Sequence, residues 1–562
     1  MEDRTSFSLV TEPWIRCQQT DGTDVVLSLE EVFDGTRPVA GLRGDSPTQD
    51  YAVLRVLLAV FWRAHRGDAV VAPGRTFDFE DWREGAWHEA VDGEADATVL
   101  DYLDQHRDRF DLLHPQHPFM QVADLHTSKD SRPAIARIVP EAESDYFTMR
   151  AGEALGSLPF DEATRWLVHT HAYDYSGIKS GAVGDPRVTG GKGYPIGTGW
   201  SGMTGGTTIL GASLRETLVL NTSPGPLLAG EEDRPVWERE PDGPAERSAP
   251  APKGPADLAT WQSRRIRLFR EGNRITGVLV SNGDRIPDAG ANVFGDPMTP
   301  YRFSTNKSSK TQDVFYPRPY DPNRMMWRSL EPLIALDGDV TLARGERSGR
   351  RPETLDALAR ARDEGLAESQ SVLSLRLTSA SYGPQASSMA TTVDARLDVP
   401  RRILAPGAGS VRQAVLANAK ATLSASVALG VFGGRLLMAA GGEYSFQAAH
   451  TDAMLADLEQ DFREWLAVLD PDFADASMVE WQQVVETRVR DRANLLLRGA
   501  GPKALIGREI SQNDRVSLLT AGTAYSRLQR DLRKALPLLP APQKSTDHSP
   551  GTYTFQELTT DE

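Results

Sequence analysis

Residues 411–440 set the firmest limit on the fold. The stretch holds no acidic residue and is apolar almost all round, with small residues at Ala417, Ala421 and Ala425. A helix that is apolar on every side has to be covered by neighbours. Asn418 and Lys420 interrupt it, so it reads as a core helix and not as a membrane span. Three amphipathic segments follow, at 452–469, 478–497 and 515–536. Four long helices with short connections predict a four-helix bundle. The last one carries Arg527, Arg530, Arg533 and Lys534. Residues 541–562 are polar and are expected to form a disordered tail.

The residues before 400 have another texture. FSLVTEPWI and VVLSL, within 7–29, flank the turn dipeptide Asp21-Gly22 and predict a hairpin. Asp45-Ser46-Pro47 supplies a cap and a first-turn proline for a core helix over 48–65. Further helices are expected at 97–110, 161–170 and 325–336. Strands are expected at 207–210, 217–220, 261–280 (turning at Glu271-Gly272-Asn273) and 373–377, with a loop at 381–388. Residues 222–256 hold eight prolines and few large apolar side chains, which predicts a mobile insertion. The fold class is therefore α+β. A mixed α/β domain with irregular loops over 1–400 precedes an all-α four-helix bundle over 401–540.

Net charge −16 and a pI near 5.2 argue against a free-standing, non-specific DNA binder, though not against local basic surfaces. Cys17 is the only cysteine, so there is no intrachain disulfide and no cysteine-based zinc site. The acidic start MEDRTSFSLV does not read as a signal peptide, and a cytoplasmic setting is expected.

Eleven of the thirty residues in 177–206 are glycine, and the charges there are Lys179, Asp185, Arg187 and Lys192. Glycine backbone approaches another molecule closely, and a few cations beside it suit an anion or a nucleic-acid backbone. The bland reading is a flexible surface loop. Gly190-Gly191-Lys192-Gly193 resembles the end of a phosphate-binding loop. It lacks the earlier glycine, where Pro186 stands, and the Ser or Thr after the lysine, so that reading is rejected. His114, His117, His169 and His171, with Asp174 near, allow a metal-dependent hydrolase as the alternative function. No G-x-S-x-G elbow or other catalytic signature is present. Two more basic stretches stand out: 306–310, and 264–274 with Arg264, Arg265, Arg267, Arg270 and Arg274. Together they favour phosphate contact.

EPWI at 12–15, HPQHPFMQ at 114–121, GIKSG at 177–181, LRETLVLN at 214–221, WQSRRI at 261–266, YPRPYDP at 316–322 and YGPQAS at 382–387 stand in one order. With these landmarks the chain resembles the CasA family, the large subunit of the type I-E CRISPR surveillance complex Cascade. The resemblance implies a non-enzymatic subunit without cofactor. Its partners would be other Cascade subunits, a guide RNA, double-stranded target DNA and a separate nuclease-helicase, with no membrane. The family reads a short motif beside the target, the PAM, from the minor groove and wedges the duplex open. Carried over by landmark, the groove contacts fall on Gly177, Lys179 and Gly181, or on Gly197 and Gly199, with the minor-groove lysine at Lys307 or Lys310. The strand-separating wedge falls on Gln385, Ala386 and Ser387. The guide-RNA contact falls on Phe147, Thr148, Met149 and Arg150. Some family members have a cysteine cluster near 281–300; this chain has none there, so no zinc is carried over. A purely structural scaffold for the other subunits is the third reading.

Overall fold

The computed structural model describes residues 4–71, 75–140, 155–322, 327, 330–336, 347–362, 366, 370–470, 472, 474–512 and 515–540. They divide into two compact units: Met1–Ala417 with Glu459–Ala474, and Asn418–Leu458 with Asp475–Glu562.

The first unit is built around the helix Pro47–His65. Ser46 accepts the Gln49 N–H and Pro47 occupies the first turn, so the start is capped as the sequence implies. Sixteen of its nineteen residues are buried, because helices Ala97–Gln105, Phe160–Tyr173 and Pro255–Ala259 pack against it. Its Arg55 meets Asp296 at 2.6 Å, both fully enclosed, and the Trp200 indole donates to the same carboxylate. Buried charges persist where partners and hydrogen bonds offset their desolvation, and here the Asp296 carboxylate is held by both Arg55 and Trp200. The amino-terminal hairpin pairs Ile15–Gln19 with Asp24–Leu27, and Val39–Leu42 adds a third strand.

Two antiparallel elements face the glycine-rich stretch. One is the hairpin Arg264–Glu271 with Arg274–Asn282, turned at Gly272 where φ is +57°. The other is a three-stranded sheet of Gly206–Leu210, Val372–Tyr382 and Met389–Pro400. The strand expected at 373–377 is thus one arm of a long hairpin, and 383–388 is its turn.

Three expectations are corrected. Residues 217–220 are not strand but the end of a helix, Leu214–Leu220; Ser213 caps it by accepting the Glu216 N–H. Residues 222–256 are packed and not a loose insertion. Val236 and Trp237 are buried, the Trp237 indole donates to the Tyr102 hydroxyl at 2.6 Å, and Glu238 pairs with Arg63 at 2.6 Å. Proline restrains the backbone, and a few anchored side chains replace the missing apolar bulk. Residues 515–519 are strand, paired with Arg508–Gln512; Thr520 then caps the helix Ala521–Ala535.

The acid-free segment is helical, within Gly409–Ala439, and from Asn418 onward this helix belongs to the second unit. By length and composition the span Pro406–Ala439 could cross a bilayer, but 61% of its apolar window is buried inside the protein. Its polar residues explain why. Asn418 donates to the Met478 carbonyl at 3.0 Å, Trp481 donates to Thr422 at 2.9 Å, and Thr451 donates to the Ser426 carbonyl at 3.1 Å. Those partners lie on the helices Ala448–Ala467 and Ala474–Gly499. Arg435 pairs with Asp531 of Ala521–Ala535 at 2.8 Å.

Candidate nucleic-acid interface

The candidate interface starts at the end of the helix Phe160–Tyr173. Acidic Asp161 and Glu162 sit in its first turn, and Asp174 ends it. The last carbonyls of a helix have no donor within it. Here His171 O accepts from Ser263 Oγ at 2.6 Å and Tyr173 O accepts from the Tyr382 hydroxyl at 2.7 Å. Asp174 is buried among three cations: Arg137 at 2.8 Å, Arg264 at 2.5 Å and Lys179 at 3.0 Å. Burial alone would raise its carboxyl, but Arg264, Arg137 and Lys179 outweigh that and hold it well below the usual carboxylate range. Lys179 pays for the crowding: burial, aided by Arg264 and Arg137 and opposed by Asp174, pushes it down to about 7.

Lys179 is therefore not free to donate to a groove. Its side chain is 1% exposed, bonds the Tyr175 carbonyl at 2.8 Å and lies 3.8 Å from the Tyr175 ring centre. The sequence marked it as a DNA contact; the strand pair Lys179–Ser180 with Lys192–Gly193 turns it inward toward Asp174. Gly181 is packed as well. A Cβ there would stand 2.7 Å from Gly191 backbone, so glycine is needed for that strand pairing. Gly199 is buried with its Cα against the carbonyls of His171 and Ala172. Gly177 is half-buried beside the Tyr175 ring. Gly197 alone of these five candidates combines a positive φ, +103°, with open space around its Cα. Its N–H donates to Ser176 Oγ at 3.1 Å and its carbonyl accepts from Arg264 at 2.9 Å. The most outward part of the stretch is elsewhere: Gly190, Gly191, Lys192 and Tyr194 are all exposed.

At the tip of the long hairpin, Gln385 has φ +57° and Ala386 φ +51°. Two successive side-chain-bearing residues in the left-handed region cost roughly 1–2 kcal/mol each, and such outliers cluster at functional sites. Gln385 and Ser387 are exposed and Ala386 is half-buried. The turn holds itself together: Ala386 N–H to Gly383 O at 2.9 Å, Gly383 N–H to Ser388 O at 3.0 Å, and Ser387 Oγ to Pro384 O at 2.9 Å. It also touches the residue immediately before the glycine-rich stretch, because Ser176 N–H donates to Ala386 O at 2.7 Å. Separated by some two hundred residues of sequence, tip and loop meet.

Lys307 and Lys310 are exposed in the turn that joins Tyr301–Phe303 to Phe315–Pro317, and neither has a counter-ion among the described residues. The guide-RNA candidates Phe147, Thr148, Met149 and Arg150 lie outside the described residues. The basic hairpin 264–274 does not present a row of free cations. Arg264 and Arg265 are buried in ion pairs with Asp174 and Asp284, at 2.5 and 2.7 Å. Arg274 bonds Ser157, and Arg270 bonds the Arg4 carbonyl. Both strand faces of Arg264-Arg265 are covered, which charge counting could not show.

The histidines of the hydrolase reading are not assembled into a metal set. His169 Nε2 bonds Thr48 Oγ1 at 3.0 Å, His171 Nε2 donates to the Met120 carbonyl at 2.9 Å, and the His114 and His117 rings stack on each other. Burial pushes His169 down to about 3 and His171 to about 4, so both are neutral core groups. Among the described residues no three His, Cys, Asp or Glu stand together as a metal-holding group.

Residues 8–491 match the family model of CRISPR-associated protein Cse1. This chain belongs to the Cse1 family. It is 26% identical over 416 residues to CRISPR-associated protein CasA/Cse1 of Thermus thermophilus, covering 72% of each chain. It resembles the crystal structure of Thermobifida fusca Cse1 at 37% identity and TM-score 0.82, covering 96% of this chain and 99% of that one. A chain of a CRISPR RNA-guided surveillance complex, 18% identical, shares the fold at TM-score 0.62, covering 88% of this chain and all of that one. The family landmarks therefore led to the right family.

Within this Cse1-family fold, the residues that sequence reading missed are the ones that hold the interface together. Arg264 passed for a phosphate contact and Asp174 for a metal ligand. Tyr382 went unmarked as the first letter of YGPQAS. The usable signal was YGPQAS itself, since its glycine and proline after a strand mark a hairpin tip.

Proposed function

We propose that this chain is the large, non-catalytic subunit of a type I-E Cascade complex, working in the cytoplasm. It reads the PAM of double-stranded DNA from the minor groove and wedges the duplex open for a guide RNA, after which a separate nuclease-helicase is recruited. The observation that carries this reading is the strained Gln385–Ala386 tip, exposed at Gln385 and bonded to Ser176 at the start of the glycine-rich stretch. Family membership and the resemblance to surveillance-complex chains support it.

The physics agrees. The minor groove offers acceptors at every base pair and one donor at G·C, so a lysine reads it tolerantly. Lys307 and Lys310 are exposed cations suited to that task, Gly197 and the exposed Gly190, Gly191, Lys192 and Tyr194 are the loop surfaces able to approach a groove wall, and Gln385 is the wedge. Unstacking one base step costs about a few kcal/mol, offset by backbone contacts and guide pairing. The long helices of the second unit make the carboxy-terminal four-helix bundle in this reading.

The test is R-loop formation on a PAM-bearing plasmid by the assembled complex. Gln385→Ala combined with Lys307→Ala is expected to abolish opening while the subunit still folds and assembles. Wild-type opening by that double variant would overturn the assignment.

A further inference from the structure

The tip and the loop are joined by more than one bond. Ser176 N–H donates to Ala386 O at 2.7 Å. Four residues earlier in the same hairpin, the Tyr382 hydroxyl donates to Tyr173 O at 2.7 Å. Arg264 then binds both ends of the loop with one guanidinium nitrogen, at 2.8 Å to Tyr175 O and 2.9 Å to Gly197 O, while its Nε holds Asp174. Ser176 Oγ closes the ring by accepting the Gly197 N–H. Arg264 is 1% exposed, so these bonds compete little with water. The partner of Tyr382 is the end of a helix buried along most of its length, which gives the hairpin a rigid anchor instead of another loop.

We propose that Tyr382 and Arg264 are positioning residues that lock the Gln385 tip and the glycine-rich loop into one reading unit. Seating of the loop against the duplex then drives the tip into the base stack; tip and loop do not act as two independent contacts. The inference rests on the function proposed above. It adds a specific mechanism: loss of the Tyr382 hydroxyl uncouples opening from binding. Neither residue needs to touch DNA. An unlocked tip samples other positions, and only the fraction correctly placed inserts.

The experiment uses the assembled complex with its guide RNA and a PAM-bearing duplex carrying 2-aminopurine beside the motif. It reads duplex affinity and opening rate separately for Tyr382→Phe, Ser176→Ala, Gln385→Ala and the double variant Tyr382→Phe with Gln385→Ala. Tyr382→Phe keeps the ring and removes only the donor. Its affinity is expected to stay within twofold while opening slows about tenfold, a barrier change of ~1.4 kcal/mol. Ser176→Ala is expected to behave alike and more weakly. Because Tyr382 acts through the tip, Tyr382→Phe should slow the Gln385→Ala complex no further. Independent, multiplying effects in the double variant, or wild-type opening by both Tyr382→Phe and Ser176→Ala, would overturn the coupling. If Gln385→Ala itself opens duplex at the wild-type rate, the wedge reading fails and the coupling falls with it. If Gln385→Ala is slow and Tyr382→Phe is not, the wedge reading stands and only the coupling fails.

Discussion

Gly199 and Gly197 stand two residues apart and should answer the same substitution differently. At Gly199 φ is −65°, an ordinary value, so alanine meets no backbone strain there. Its Cβ would instead collide with the carbonyl oxygens of His171 and Ala172 and come within 2.7 Å of Ala172 C. These are main-chain atoms at the end of a buried helix and cannot rotate away. Overpacking of this kind costs about 1–3 kcal/mol. At Gly197 the Cβ has nothing within 4 Å, and the cost is the φ of +103° alone, roughly 1–2 kcal/mol. With a urea slope of about 3 kcal/mol per M, Gly199→Ala should lower the unfolding midpoint by about 0.3–1 M. The discriminating step is to add glutamine, asparagine or aspartate in place of alanine. At Gly197 a larger side chain points into open space and should cost little beyond alanine, whereas at Gly199 each added atom should cost more. A Gly199→Ala protein with the wild-type midpoint would refute the packing argument and return Gly199 to the list of direct DNA contacts.

Three further outcomes are expected. His169 and His171 are held neutral at about 3 and 4, below the ordinary 6.5, so the unfolded chain binds more protons between those values. Stability should therefore fall as pH drops below 6.5, by on the order of 2 kcal/mol per histidine at pH 5; urea midpoints of His169→Gln against wild type at pH 7 and 5 check it, and equal pH slopes refute it. Lys307→Ala and Lys310→Ala should leave the unfolding free energy within about 0.5 kcal/mol of wild type, because both side chains are exposed. Each should weaken duplex binding and reduce its salt slope by about one. Trp237→Ala should cost about 3–5 kcal/mol by emptying a buried site that also bonds Tyr102; a value near zero would restore the view that 222–256 is loosely attached.

The sequence was most legible where one local rule decides the outcome. Ser46-Pro47 fixed a helix start, and the acid-free run at 411–440 announced a core helix. It misled where distant partners decide. Residues 217–220 look strand-like because Thr and Val recur, yet the cap at Ser213 sets a helix. Residues 222–256 look disordered because apolar bulk is scarce, yet Trp237, Glu238 and Arg247 find distant partners in Tyr102, Arg63 and, just past the basic hairpin, Asp284. For the interface, Gly383-Pro384 after a strand marked 381–388 as a loop, but the landmark at 177–181 put Lys179 outward and charge counting put Arg264 outward, and both are buried on Asp174. Whether a cation faces water or a buried carboxylate depends on Asp174, and its neighbourhood is assembled from residues 137, 174, 179 and 264.

The left-handed pair at Gln385–Ala386 bears on how the protein could be changed. Glycine adopts that backbone without penalty, so Ala386→Gly should make the isolated chain more stable at the tip. The same substitution would let the turn visit many shapes, and a wedge that bends is a poor wedge. Under the wedge function proposed above, screening variants of this protein for heat resistance alone would therefore favour chains that open DNA more slowly.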